Sequence, residues 1–134
     1  MASFVLNGSS TVARALLSGE SALIGQNGAL GVLGSDAITA SGSSDAQIVG
    51  SVLAGSGSAI NFSGTTFKLS IGQNGYVGST EDNALDFGAS NFVHIDNAGT
   101  ISSPEDDGIE HSATDNNGAS FVLTNTGNIS GNIA

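Results

Sequence analysis

The sequence predicts an all-β protein, a single-stranded right-handed parallel β-helix (β-solenoid) of about five to six coils, each with 18 to 28 residues and three short strands. Three observations predict it. The phrase IGQNG stands at 24–28 and returns at 71–75, inside a frame that recurs along the chain: an apolar residue, three variable positions, Gly, one variable position, then another apolar residue. A second apolar position follows the frame at a constant distance of eight residues. Composition removes the alternatives, because 20 glycines, one proline, no tryptophan and 10% charged residues suit turns and strands, while a mean hydropathy of +0.16 is too apolar for disorder.

Taken in order, the frame reads Leu6-Ser10-Val12 with serine in the glycine place, then Ile24-Gly28-Leu30. Ile48-Gly50-Val52 follows with two residues deleted, and Ile71-Gly75-Val77, Ile95-Gly99-Ile101 and Leu123-Gly127-Ile129 complete the set. The last residues of the six frames are 18, 22, 25, 24 and 28 positions apart. That period is the size of a solenoid repeat and too irregular for a hexapeptide helix or a nonapeptide calcium roll.

Within each period the second phrase places Ile38, Ile60, Leu85 and Ile109 in the contexts DAITA, SAINF, NALDF and DGIEH. A small residue precedes each aliphatic one and an inward candidate lies two beyond it, the period of a strand. For the fifth frame the strands are expected near Val93–Ile95, Thr100–Ser103 and Gly108–His111. A unit this small cannot bury its own apolar face, but stacked at the usual strand spacing of about 4.8 Å it can.

Three inward ladders follow from alternation. The first is Leu6, Ile24, Ile48, Ile71, Ile95 and Leu123; the second is Val12, Leu30, Val52, Val77, Ile101 and Ile129. The third is Ile38, Ile60, Leu85 and Ile109, flanked by Ala40, Phe62, Phe87 and His111. The frame glycine marks a corner, where it is expected to supply a backbone conformation that other residues resist. Asn27, Asn74, Asn97 and Asn125 lie beside it, in position for turn chemistry or for amides stacked along the axis. Residues 1–134 read as one domain. SFVL occurs at 3–6 and at 120–123, so the final coil is expected to stop one strand past its corner. Its open edge then needs further coils of a longer chain or a second copy.

Twelve acidic residues against Arg14 and Lys68 give a net charge of −10, which argues against nucleic acid as partner. No apolar run is long enough for membrane insertion, and the start MASFVLNGSS has no basic leader. Without cysteine, no disulfide framework supports the fold.

Residues 95–131, IDNAGTISSPEDDGIEHSATDNNGASFVLTNTGNISG, resemble the non-catalytic β-solenoid segments of large secreted bacterial proteins of the haemolysin-type calcium-binding or adhesin-like kind. There, N-x-G-x-I-S phrases alternate with D-D-G-I or D-A-I turns. The resemblance covers the chain from about Ala22 onward. It implies a bacterial protein that is secreted or held at the cell surface, exported through a signal at the carboxyl end. The sequence departs from the calcium roll in having no G-G-x-G-x-D nonapeptide.

Acidic residues gather before the third strand in three coils, at Asp36, at Glu81 and Asp82, and at Glu105, Asp106 and Asp107, while another coil has only Ser58 there, and hard oxygens crowded together suit Ca²⁺. The candidate ligands are Asp82, Glu105, Asp106 and Asp107. The competing reading is a solvated acidic edge that discourages strand pairing. His94 and Asp96 share one strand and would face outward, but no G-x-S-x-G elbow accompanies them, and no catalytic residue is assigned. His111 falls where Phe62 and Phe87 fall and reads as a ladder residue. Outward Thr-x-Thr rows, the mark of an ice-binding face, are absent, and Tyr76 is a single aromatic. The expected function is a structural or adhesive module without catalysis, self-associating end to end into a filament or array. The alternative is a carbohydrate-binding or carbohydrate-active domain whose partner is a cell-surface glycan.

Overall fold

The computed structural model describes residues 4–88, 92–111 and 120–133, and it is a parallel β-solenoid of about 5 turns. Fourteen strands join into one continuous sheet that winds around the core, with every pairing parallel. In chain order they are β1 (Phe4–Leu6), β2 (Ser9–Ser10), β3 (Arg14–Leu16), β4 (Ser21–Ile24), β5 (Ala29–Val32), β6 (Ile38–Ile48) and β7 (Ser51–Ala54). Then come β8 (Ile60–Ile71), β9 (Tyr76–Ser79), β10 (Leu85–Phe87), β11 (Phe92–Asn97), β12 (Thr100–His111), β13 (Ser120–Asn125) and β14 (Asn128–Ile133). The first face stacks β1, β4, the ends of β6 and β8, β11 and β13. The second stacks β2, β5, β7, β9, the start of β12 and β14; the third stacks β3, the starts of β6 and β8, β10 and the end of β12.

The third ladder stands as read. Ile38, Ile60, Leu85 and Ile109 are register partners in successive coils and fully buried, with Arg14 below them and Ile133 above. Ala40, Phe62, Phe87 and His111 form the neighbouring column above Leu16. Phe62 stacks on Phe67 of the first face with ring centroids 4.9 Å apart, and Phe87 contacts both Phe67 and Phe121. His111 packs on Phe121 at 5.2 Å, continuing the aromatic column rather than facing a site.

The second ladder differs at its first rung. Ser10, not Val12, pairs with Leu30, and Val12 is 65% exposed. Its backbone N–H is turned back to Ser10 Oγ, so the first coil leaves the sheet two residues early. From Leu30 upward, Val52, Val77, Ile101 and Ile129 stack as expected.

The first ladder differs more. Leu6, Ile24, Ile48 and Ile71 are partners, but Ile71 pairs with Asn97 and Asn97 with Asn125. Ile95 and Leu123 lie two residues back, in the column of Phe4, Ala22, Ala46 and Leu69. Two corner designs cause the shift. In IGQNG a tight turn closes by Gly28 N–H to Gly25 O and by Gly75 N–H to Gly72 O, each at 2.8 Å. Ile48-Val49-Gly50, Asn97-Ala98-Gly99 and Asn125-Thr126-Gly127 are shorter by two residues; in the last two, the asparagine Oδ1 accepts the glycine N–H. The deletion at Ile48 therefore recurs in two later coils. In consequence the two FVL segments, 4–6 and 121–123, stand two residues out of register with each other.

The corner glycines are required for a different reason from the one expected, since none of them has a positive φ. A Cβ on Gly50 would collide with the carbonyl of Gly28, one on Gly99 with that of Gly75, and one on Gly127 with that of Gly99. The backbone stacks so closely because the residue after each glycine donates to the glycine carbonyl one coil below: Ser51 to Gly28, Tyr76 to Gly50, Thr100 to Gly75 and Asn128 to Gly99, at 2.8 to 3.0 Å. Left-handed geometry appears at another corner, at Gly42 (φ 66°), where β6 passes from the third face to the first. The three strands expected per coil are not all separate: β6, β8 and β12 each run through a corner as one strand, with the register shifting there, between Gly42 and Ser43 against β8 and between Ser102 and Ile109 against β14.

Candidate functional site

Two surfaces carry the polar chemistry. The first is the acidic edge where the second face meets the third. Buried Ser79 and Ser103 occupy equivalent places in successive coils, and each hydroxyl does two jobs. Ser79 Oγ donates to Gly57 O at 2.6 Å and accepts from Asp82 N; Ser103 Oγ donates to Asp82 O at 2.7 Å and accepts from Asp106 N. The loops between these serines and the third face therefore superpose. Asp82 Oδ1 accepts the N–H of Asn83 at 2.8 Å, and Asp106 Oδ1 that of Asp107 at 3.0 Å. Both carboxylates are thus turned onto the backbone N–H of the residue that follows them. Glu105 and Asp106 are exposed and Asp107 half-buried, with its N–H bound to Asn83 Oδ1. Among the described residues no group of three or more acidic, His or Cys side chains is placed to hold a metal ion.

A bracket repeats beside this edge. Asp36 accepts Ser58 N at Oδ1 and Asn61 Nδ2 at Oδ2 in the coil above. Asn83 accepts Asp107 N and donates Nδ2 to Glu110 at 3.1 Å, again one coil up. Asp86 stands between Asn61 and Glu110 in the adjoining outward row. Burial raises its carboxyl above the usual range, and Glu110, Asp82 and Asp36 add to the effect by repulsion.

The second surface is the outward side of the first face. Alternation on its strands produces three parallel rows: Thr66 and Phe92; Asp45, Lys68 and His94; and Gln47, Ser70 and Asp96. Shallow depressions flank the Lys68–His94 ridge, one of about 430 Å³ reaching Asp45, Gln47 and Asp96, the other of about 210 Å³ beside Phe92. His94 Nε2 lies 3.3 Å from Asp96 Oδ1, a hydrogen-bonding contact that is an ion pair only when the imidazole is protonated. The rung neighbours of His94 are Lys68 and Val122, so neither supplies a serine nucleophile. Sequence reading found the His94–Asp96 pair but not its setting; the signal was available in the matching alternation of 45–47, 68–70 and 94–96. On the second face, the ring of Tyr76 lies flat over Gly78, covering bare backbone.

No protein-family model, curated protein or solved structure matches the chain. The haemolysin-type or adhesin-like resemblance therefore has no match behind it, and the parallel β-solenoid stands on the register of its own coils.

Proposed function

We propose that the chain is a structural β-solenoid module of an exported bacterial protein, one that transmits its stack from end to end and performs no catalysis of its own. The observation that carries this reading is the state of the two terminal coils. Inward residues in the middle coils are fully buried, whereas Phe4 and Leu6 at one end and Phe121, Leu123 and Ile129 at the other are only partly covered. Around them Val5, Val12 and Leu17 in the first coil and Ile133 in the last are each more than half exposed. Strand edges and half-covered apolar columns of this kind require another rung. Further coils of a longer chain or a second copy would supply it, and the self-association proposed here takes the second copy.

Charge favours a head-to-tail order. Arg14, its guanidinium 5.2 Å above the Phe4 ring, belongs to the first coil, while Glu105, Asp106, Asp107 and Glu110 crowd the upper ones. A contact between unlike ends made along the stacking axis leaves a free end on every copy and so extends into a filament rather than closing a ring. Mass photometry across a dilution series tests this: oligomers that grow with concentration support it, and monomers alone at micromolar protein overturn it. Electron microscopy of the same sample separates rods from compact particles.

A further inference from the structure

We propose that the outward side of the first face binds a neutral, hydroxyl-rich oligosaccharide extended along the solenoid axis, across the rungs that carry Asp45, Lys68 and His94. The charge balance selects the ligand class. In a chain of net charge −10, this ridge sets Lys68 and His94 on adjacent rungs, with Asp45 below and Asp96 beside them. A polyanion would meet the two carboxylates and a cation would meet the ammonium, whereas sugar hydroxyls donate to carboxylates and accept from ammonium and imidazole at once. Gln47 and Ser70 extend the same inventory along the neighbouring row.

An apolar platform completes it. Phe92, 48% exposed, borders the second depression with Lys68 and His94, and an aromatic ring with one side open suits the C–H face of a pyranose. Parallel strands repeat every 4.8 Å or so, close to the length of one sugar ring in an extended chain, so successive rings would meet successive rungs. The site does not depend on either end of the solenoid, and it stands or falls separately from self-association.

Isotope-labelled full chain is titrated with cellohexaose, mannohexaose and chitohexaose and, as the anionic control, pentagalacturonate, and followed by amide chemical shifts. Saturable shifts centred on Thr66, Lys68, Ser70, His94 and Asp96 with a neutral sugar are expected. Phe92→Ala should weaken that binding about tenfold. Lys68→Ala, which changes only an exposed side chain, should weaken it as well and keeps the test open if the first variant melts early. No saturable shift at millimolar neutral sugar, tighter binding of pentagalacturonate, or unchanged affinity in both folded variants would overturn the proposal.

Discussion

Asn97 occupies a place that isoleucine holds in the three coils below, and only its neighbours make that tolerable. It is 2% exposed, donates to Asn125 Oδ1 at 2.8 Å and accepts from Gly99 N, so its amide is satisfied where an unpaired one would be costly. Asn97→Ala should cost about 1–3 kcal/mol in urea unfolding, and Asn125→Ala, at an exposed rung, clearly less. Glycine makes a sharper contrast. Gly50→Ala drives a methyl into the Gly28 carbonyl and should cost about 2 kcal/mol or more, whereas Gly34→Ala meets nothing within 4 Å and should be neutral or slightly stabilising. Equal losses at both positions would show that close backbone contact is not what selects glycine at the corner. Asp86 carries a pH signature. Its folded pKa lies above the ordinary 3.8, so its contribution to stability is complete below that value and disappears as pH rises through the folded value. Asp86→Asn should therefore gain stability relative to the parent as pH is raised from 4 to 7, read as the difference between their melting temperatures.

At the scale of an element, the third face and the first behave differently as text. Ile38, Ile60, Leu85 and Ile109 were legible because eight residues always separate them from the second ladder, and no corner design intervenes to change the count. The first ladder was not, because the corner that follows it comes in two lengths and an asparagine side chain can stand in for missing backbone. The aromatic column tests the packing of the third face: Phe62→Ala, fully buried against Phe67, should cost about 3–5 kcal/mol. On the acidic edge, a calcium site built from Asp82, Glu105, Asp106 and Asp107 predicts a rise in melting temperature with millimolar Ca²⁺, and a solvated edge predicts none. With Asp82 and Asp106 each holding the next backbone N–H, the geometry favours no shift, and a saturable rise lost in Asp106→Asn would reverse that reading.

At the scale of the whole molecule, stability is a sum over neighbouring coils, so the ends are its weakest part and its most reactive. Introducing charge there separates assembly from folding. Leu17→Glu and Ile133→Glu alter side chains already 61% and 58% exposed, and they should abolish growth in mass photometry while leaving the melting temperature of the dilute chain within a few degrees. The sequence alone determined that like strands lie over like strands, because a period near the size of a solenoid repeat with alternating apolar residues has no other way to bury its faces. It determined the third column and its aromatic neighbour outright. Only the tertiary structure decided which residue of each corner enters the core, why the glycines are there, and which outward side chains share a rung. Those depend on how closely one backbone lies on the next, and a two-residue change of register moves side chains to the next column while preserving the inside-outside pattern that sequence reading relies on.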